Sequence, residues 1–568
     1  MSCPKLVARC VRTTYAAPVF SCAEGTGDAT RQPRSLRLKP YYRSIVDWIR
    51  RRAPEDGLWI LLPIALVVVG IALRTRHFFH EPNTLWADEA YWALQLPALP
   101  LGTPTIRPIG FTAFARLSTH LFGPTEPALR LLPWLAGVAA VIVSVPLAQR
   151  LFRGPGARLL FVAIIALHPH VIDFAREFKP YSVSFCLHAL TVLFAASYWK
   201  TGSVRYLFLA PAVATLGVTF AQDLVFVFPG LFLSIGLAAM RARRTKHLWA
   251  LVATGFATLI VLLPLYWFFW RLVGAGGKVS GLQRSWLHDD SLFHVRGSVL
   301  PWIANKYVEL AALPGWGRRL WQSGDSGGAS LRGELSSLDF EVWAILHTLG
   351  LASIAWQKRW CELVLVLGTW LSVFTLNLLK LWPLGAFRTD LFLVFYATLG
   401  AAAAFDTRAV SRSPFRRLSP TVLLVLLPLA LFERDWHRHK ETIYDSAFIA
   451  LMQNAIQAQG AGHGREWMFI DSYLDSVWAY YDRMHPGHRR LVAEFSQRFQ
   501  VSVSPAFGRS PLELARKHLG KGKQRFWVLT GYPKNIQRFA TGDPPGYRVL
   551  DRYTIGTSGA MLVSLQPN

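Results

Sequence analysis

Two adjacent acidic residues, Asp88 and Glu89, stand among aromatic residues in the string LWADEAYW at positions 85–92. A carboxylate in such a place can accept the proton of an attacking group as a general base. A simpler interpretation also fits the composition, in which Trp86 and its aromatic neighbours form an interfacial belt and the acids are solvated. The pair alone therefore leaves both interpretations open.

Several cations lie in segments with similar surroundings. Arginine and lysine hold phosphate through charge-assisted hydrogen bonds, although each could equally anchor a helix end to lipid headgroups. The string FAREFKPYS at positions 174–182 adds the polar candidates Glu177 and Tyr181. The candidate phosphate-binding residues are Arg107, Arg130, Lys179 and Arg388.

The elements that position these residues are predicted to cross a membrane. Hydrophobic residues make up 52% of the 568-residue chain, charged residues only 17%, and the mean hydropathy is +0.28. A spanning helix needs roughly 20 mostly apolar residues. About eleven segments qualify or nearly qualify, and they are residues 58–73, 131–148, 159–172, 181–199, 206–221, 224–240, 248–270, 340–356, 363–379, 391–405 and 420–432.

Orientation follows from the distribution of Lys and Arg among the short loops. With the N-terminus in the cytoplasm, the cytoplasmic loops carry fifteen of these residues and the short external loops carry four. The C-terminus is then external. The formal charge of +27 is concentrated in the cytoplasmic loops and in residues 41–52, so the expected partner is anionic lipid rather than nucleic acid.

Three regions follow from these patterns. Residues 1–40 read as a disordered cytoplasmic tail, residues 41–432 as an all-α transmembrane bundle, and residues 433–568 as a small external soluble α/β domain. Residues 74–130 and 271–339 form two long external segments. In the soluble region we predict helices at 441–459, 473–484 and 511–519, strands at 467–470 and 525–529, and a hairpin at 547–565.

Taken together, these strings resemble the GT-C class of integral membrane glycosyltransferases. The likeness is to bacterial relatives of the dolichyl-phosphate-mannose:protein mannosyltransferases and to the lipid A aminoarabinose transferases. It covers nearly all of the chain beyond residue 55. The strings that carry it are WADEAY at 86–91, GPTEPALRL at 123–131, EFKPYS at 177–182 and PLGAFR at 383–388.

The resemblance implies sugar transfer from a polyprenyl-phosphate donor, with inversion, at the external face of a bacterial inner (plasma) membrane. It gives Asp88 the role of general base and Glu89 that of a supporting or metal-proximal acid. The departing phosphate needs cationic stabilisation but no general acid. That stabilisation falls to Arg107, Arg130, Lys179 and Arg388, whereas the acceptor is left open among a glycan, a lipid and a protein.

Other interpretations stay open from the sequence. A secondary transporter or lipid flippase would explain the many spans and intramembrane acids such as Asp173 and Asp223, but no matching halves are visible. A member of the same fold that binds without catalysing is the other alternative. No metal ligand set is apparent, no cofactor is implied with certainty, and a divalent cation remains open.

Overall fold

The structure is a computed structural model of the chain. It describes residues 57–76, 78, 84–97, 107–267, 299–311, 331–379, 381–384, 389–406, 448–459, 465–471, 474–503, 515, 517–519, 525–530, 547–555 and 558–565. The predicted tail 1–40, the basic segment 41–52 and the predicted span 420–432 lie outside these residues.

Helices dominate the described part of the chain, and many of them are apolar. In chain order they are α1 (Gly57–Thr75), α2 (Ala87–Gln95), α3 (Ile109–Phe122), α4 (Glu126–Leu151), α5 (Pro155–Leu167), α6 (Pro169–Asp173), α7 (Tyr181–Thr201), α8 (Val204–Val218), α9 (Val227–Arg241), α10 (Thr245–Leu265), α11 (Val299–Ala311), α12 (Leu331–Trp356), α13 (Trp360–Leu378), α14 (Leu391–Ala403), α15 (Phe448–Gln459), α16 (Asp475–Arg483) and α17 (Arg489–Arg498).

The helices support an integral membrane protein. Within the described ranges, five helical segments are long and apolar enough to cross a bilayer, and six if the pair Pro155–Leu167 and Pro169–Arg176, bent by 52°, is one span. Shorter apolar helices coincide with the predicted spans at 58–73, 206–221, 340–356 and 391–405. The count of eleven spans stays a prediction.

The helices of the bundle differ in how deeply they are buried, and two of them pack closely at glycine residues. Helix α14 is buried along its whole length, whereas α10 exposes large apolar side chains such as Trp249 (74%) and Ile260 (70%) of the kind that contact lipid. Helices α9 and α13 approach closely at Gly230 and Gly368, where a Cβ on Gly368 would lie 2.5 Å from the Gly230 Cα. Such close approach is typical of small residues between membrane helices.

Asp406, Arg359 and Glu362 form a group that we call the Asp406 cluster. It joins the end of α4, the start of α13 and the end of α14. The Asp406 Oδ1 accepts hydrogen bonds from the main-chain N–H groups of Arg153 and Gly154 at 2.9 and 2.7 Å. Its Oδ2 pairs with an Arg359 nitrogen at 2.7 Å, and Glu362 contacts the same guanidinium. The Asp406 side chain is fully buried.

The C-terminal region contains a five-stranded sheet in the order β2-β1-β3-β5-β4. Strand β1 lies parallel to β2 and β3, whereas β5 lies antiparallel to β3 and β4. The predicted strands at 467–470 and 525–529 and the hairpin at 547–565 are confirmed. The strands are β1 (Glu466–Ile470), β2 (Phe499–Val503), β3 (Arg525–Thr530), β4 (Tyr547–Ile555) and β5 (Ser558–Leu565).

Helix α17, strand β2 and the helices of the first external segment were not predicted. Helix α17, RRLVAEFSQR, is short and mostly polar, and it buries only Val492 and Phe495. Helices α2 and α3 lie in residues 74–130, which the sequence predicts to be one long external segment. Each is shorter than a membrane span, so hydropathy alone did not reveal it.

Candidate active site

The acidic pair lies in the first turn of α2, a helix that begins directly after Trp86. Acids are favoured there because they complement the positive end of the helix dipole. Adjacent residues on a helix point about 100° apart. Glu89 consequently turns inward and is fully buried, whereas 40% of the Asp88 side chain is exposed.

Glu89 is held by several donors from different segments. Arg130, near the start of α4, donates from Nε to Glu89 Oε1 at 3.0 Å and from Nη2 to Oε2 at 2.6 Å. The main-chain N–H groups of Trp86 and Phe178 also donate to this carboxylate. Glu89 therefore ties α2, α4 and the loop before α7 together.

Asp88 has a different environment. Its Oδ2 lies 2.6 Å from the Lys179 Nζ, and the lysine side chain is only 2% exposed. The ammonium also lies 3.7 Å from the centre of the Trp92 ring and 5.7 Å from that of Trp86, both distances suited to cation–π attraction. The result is a partly exposed carboxylate beside a buried cation. We call Asp88, Glu89, Arg130 and Lys179 the Glu89 cluster.

Arg107 lies beside this cluster, just before α3. Its Nη1 donates to the Trp92 carbonyl at 3.1 Å and its Nη2 to the Gln95 Oε1 at 2.5 Å, while the guanidinium lies over the Trp92 ring at 4.8 Å. Burial lowers the pKa of Arg107 to about 10, and the nearby Tyr91 and Asp88 act in the opposite direction. The residue is still a cation at neutral pH.

Three other residues were predicted from the sequence to belong to the site, and they are Glu177, Tyr181 and Arg388. Glu177 is buried, and its carbonyl accepts the Lys179 N–H at 2.7 Å, so it shapes the turn that presents the lysine. Tyr181 begins α7 and packs its ring edge-on against Phe174. Arg388 lies outside the described residues. The structure thus brings six of the predicted residues together at α2, five of them at its first turn and Arg107 at its later turns: Trp86, Asp88, Glu89, Arg107, Arg130 and Lys179.

A metal ion does not fit the predicted position beside Glu89. The carboxylate oxygens of Glu89 already accept from the Arg130 guanidinium and from two main-chain N–H groups. A divalent cation there would also lie against the guanidinium charge. The donor set suits an ion pair, and the interpretation of Glu89 as a metal-proximal acid loses its geometric basis.

The C-terminal region contacts the same part of the bundle. Ser476 Oγ donates to the Ala87 carbonyl at 2.6 Å, and the Tyr480 hydroxyl donates to the Pro124 carbonyl at 2.8 Å. The Tyr481 hydroxyl donates to Glu126 Oε1 at 2.6 Å and accepts from the Leu85 N–H at 3.1 Å. Helix α16 therefore packs on the start of α2 and on the turn before α4.

Three residues that approach Glu126, the first residue of α4, were not predicted from the sequence, and they are Tyr481, His485 and His488. The spacing His-Pro-Gly-His at positions 485–488 was an available signal, since a turn can bring two imidazoles together. Its third member comes from a distant part of the chain, and no local pattern reveals such a pairing.

Comparison with known proteins gives a match to one protein-family model. Residues 106–268 match the family described as dolichyl-phosphate-mannose-protein mannosyltransferase. No curated protein sequence matches the chain. The matched range includes Arg107, Arg130 and Lys179 but not Asp88. This match confirms the predicted resemblance to this class of membrane glycosyltransferases and the prediction that the chain is an enzyme.

Solved structures that resemble this chain share little of its sequence. One is ArnT from Cupriavidus metallidurans bound to undecaprenyl phosphate, with 13% identity, a TM-score of 0.44, and coverage of 89% of this chain and 98% of that one. Another is the oligosaccharyltransferase of Archaeoglobus fulgidus in complex with zinc and sulfate. It has 12% identity, a TM-score of 0.42, and coverage of 82% and 67% respectively.

Proposed function

We propose that this membrane glycosyltransferase moves a sugar from a polyprenyl-phosphate donor to an acceptor, with inversion at the anomeric carbon and Asp88 as the general base. The observation that carries the proposal is the partly exposed Asp88 carboxylate, 2.6 Å from the buried Lys179 ammonium. The matched family is named for dolichyl-phosphate-mannose, which is a sugar on a polyprenyl phosphate. This name supports the class of donor.

The reaction breaks the bond between the anomeric carbon and the phosphate oxygen, and forms a bond from that carbon to the acceptor. The acceptor loses a proton as it attacks, and Asp88 takes that proton. The released polyprenyl phosphate carries away the bonding electrons as a good leaving group. Its charge is stabilised by Lys179 and Arg107, so a second carboxylic acid is not needed.

Binding of the donor also prepares the base. In the structure Lys179 is engaged with Asp88, so an arriving phosphate competes with the carboxylate for the same ammonium. Once the ammonium turns to the phosphate, the Asp88 oxygen that it contacted can accept a proton. Donor binding and activation of the base are thereby coupled through one lysine.

Arg130 receives a different role in this proposal from the one that the sequence suggested. Because its guanidinium grips Glu89 at 3.0 and 2.6 Å, it positions α2 instead of holding the donor phosphate. Phosphate binding then belongs to Lys179 and Arg107. Arg388 remains a predicted third contact, and the acceptor remains one of a glycan, a lipid or a protein.

The proposal places the reaction at the external face of a bacterial plasma membrane. The Asp406 cluster supports this placement, because it gathers the ends of loops rich in Lys and Arg, which are typical of the cytoplasmic side. The Glu89 cluster lies near the opposite end of α4. On this placement the N-terminus is cytoplasmic, and the α/β region that contacts α2 is external.

The test is an assay on purified chain reconstituted in lipid. Wild type and Asp88→Asn are incubated with a panel of polyprenyl-phosphate sugars, with membrane extract as a source of acceptor, and released polyprenyl phosphate is measured. We expect release by wild type from one donor, and a loss of about 10²–10⁴-fold in Asp88→Asn, which is the usual contribution of a general base.

Glu494→Gln is the matched control, because Glu494 is a partly exposed carboxylate paired with Arg498 at 3.0 Å, far along the chain from the site. It should release polyprenyl phosphate at the wild-type rate. Full turnover by Asp88→Asn would refute the base assignment. Transport of the donor across the bilayer without release would instead favour the flippase alternative.

A further inference from the structure

A second polar centre lies where the C-terminal region meets the bundle, and it is separate from the acids proposed for sugar transfer. Helix α16 ends at Arg483, α17 begins at Arg489, and the turn His-Pro-Gly-His at 485–488 connects them. This turn lies against Glu126, at the first position of α4.

Three potential metal ligands meet there. Glu126, His485 and His488 each offer one ligand atom, and all three atoms lie within 4.8 Å of one another. Within this group, Glu126 Oε2 and His485 Nε2 lie 2.7 Å apart. The two imidazole rings are stacked, with centroids 4.6 Å apart and an angle of 28° between their planes.

The surroundings fit a built site instead of a chance surface group. Glu126 and His485 are each only 5% exposed, and His488 is half-buried. Tyr481 donates to Glu126 Oε1 at 2.6 Å, which fixes the carboxylate and leaves Oε2 towards His485. Hydrogen bonds of this kind commonly orient the ligands of a metal.

A second observation concerns the ring of His485. The Nδ1 of His485 is buried and makes no hydrogen bond with any part of the chain that the structure describes. A buried nitrogen is seldom left in this condition, since buried polar groups almost always have a partner. The Nε2 atom, which meets Glu126, is the nitrogen placed to bind an ion, and the unpartnered Nδ1 shows that the described chain does not fix this ring from its other side.

We infer that Glu126, His485 and His488 bind a divalent transition-metal ion, with zinc the best fit, and that this ion fastens the C-terminal region to the start of α4. Two imidazoles and one carboxylate are a common zinc donor set, whereas magnesium and calcium prefer oxygen ligands. Zinc bonds to nitrogen and oxygen are about 2.0–2.2 Å long, so shifts of about 1 Å would close this triangle around an ion.

The consequence is structural. Arg130, which holds Glu89, lies one turn after Glu126 on α4, and Tyr481 contacts the Leu85 N–H next to α2. An ion at Glu126 would therefore hold the C-terminal region against the two helices that carry the Glu89 cluster. It takes no part in the transfer of the sugar.

The test measures zinc on the full purified chain. The protein is stripped with a chelator, titrated with zinc against a chromophoric competitor, and its metal content is measured by mass spectrometry. Cobalt is then added in place of zinc, because its visible absorption reports the coordination geometry. We expect one zinc per chain, no displacement by millimolar magnesium, and a cobalt spectrum typical of four-coordinate nitrogen and oxygen ligands, with water as the fourth ligand.

The variants are His485→Gln, His488→Ala and His488→Cys, with His518→Ala as the control. His518 is an exposed histidine of the same region that contacts Trp467 and Phe469 and not the cluster. We expect His485→Gln and His488→Ala to weaken zinc binding by more than about 100-fold, and His488→Cys, which keeps a ligand, to retain it.

Two results would overturn the inference. One is a wild-type chain that takes up no zinc after stripping and reloading. The other is equal zinc affinity in wild type, His485→Gln and His488→Ala. If His488→Ala does not fold, His488→Cys and His485→Gln still decide the question, since one retains the full set of ligands and the other does not.

Discussion

Two buried carboxylates, Glu89 and Asp406, lie near opposite ends of α4 and are each paired with an arginine. Arg130, near the start of α4, grips Glu89, whereas the last residue of the helix, Leu151, offers its carbonyl to Arg359 of the Asp406 cluster at 2.5 Å. From residue 130 to residue 151, at 1.5 Å per residue, is about 32 Å. The hydrocarbon core of a bilayer is roughly 30 Å thick, so the length of helix between the two clusters is close to that thickness.

What differs is the presence of a second, accessible acid. In the Asp406 cluster both carboxylate oxygens of Asp406 are engaged, its side chain is fully buried, and Glu362 beside it is only 13% exposed. In the Glu89 cluster the fully buried Glu89 has a neighbour, Asp88, whose side chain is 40% exposed. A buried pair thus supports structure at both ends, but of the two clusters only the Glu89 cluster also contains a partly exposed acid.

The change Glu89→Gln should have the largest effect on this comparison. It leaves Arg130 buried without its countercharge, and breaking a buried ion pair in this way costs roughly 3–5 kcal/mol of folding stability. Because Glu89 also fixes the turn that bears Asp88, turnover should fall too. Thermal unfolding in detergent and polyprenyl-phosphate release measure the two effects.

The double variant Glu89→Gln with Arg130→Met supplies the control, since it removes the stranded charge along with its partner. We expect it to recover part of the stability lost in Glu89→Gln. If the single variant unfolds at the wild-type temperature, the buried ion pair is not what holds α2 to α4.

The change Asp406→Asn should affect stability and spare chemistry. It weakens the contact to Arg359, but Glu362 still offers that guanidinium a charge, so we expect a loss of about 3 kcal/mol, the lower end for such pairs. The rate per folded molecule should stay near that of wild type, in contrast to Asp88→Asn. A specific loss of turnover in well-folded Asp406→Asn would mean that the two ends of α4 are not functionally distinct.

Much of the fold could be predicted because hydropathy is a local property of the chain. The apolar segments around 131–148 and 181–199 carry their own signal, and the structure has helices α4 and α7 there. The alternation of strands at 467–470 and 525–529 was visible for the same reason. Helix α17 was missed because its buried face is only two residues wide.

The site was predictable in its members but not in its pairings. The strings at 85–92 and 177–182 drew attention to Asp88 and Lys179, and the structure joins them. The bond between Arg130 and Glu89 depends on how α4 packs beside α2, so Arg130 read as a phosphate ligand. The approach of His485 to Glu126, 359 positions apart, is equally a product of tertiary packing.

The smallest expected effect comes from Arg107→Lys. This variant is to be compared with the same change at Arg359, an arginine of the Asp406 cluster. Arg107 and Arg359 both use a guanidinium fork to reach a main-chain carbonyl and a side-chain oxygen beside an aromatic ring. A lysine keeps the charge but cannot span both acceptors. If Arg107 stabilises the donor phosphate, Arg107→Lys should raise the donor KM about tenfold, which is near 1.4 kcal/mol.

Arg359→Lys is the matched variant, and it should lower thermal stability while leaving the donor KM unchanged. Equal behaviour of the two variants would contradict a donor-binding role for Arg107, because a shared loss of stability is what a purely structural fork predicts. A donor KM that changes in Arg107→Lys alone would assign donor recognition to the end of α4 where Glu89 lies. Both lysine variants keep the positive charge, so they differ only in the position at which the two-pronged guanidinium contact is lost.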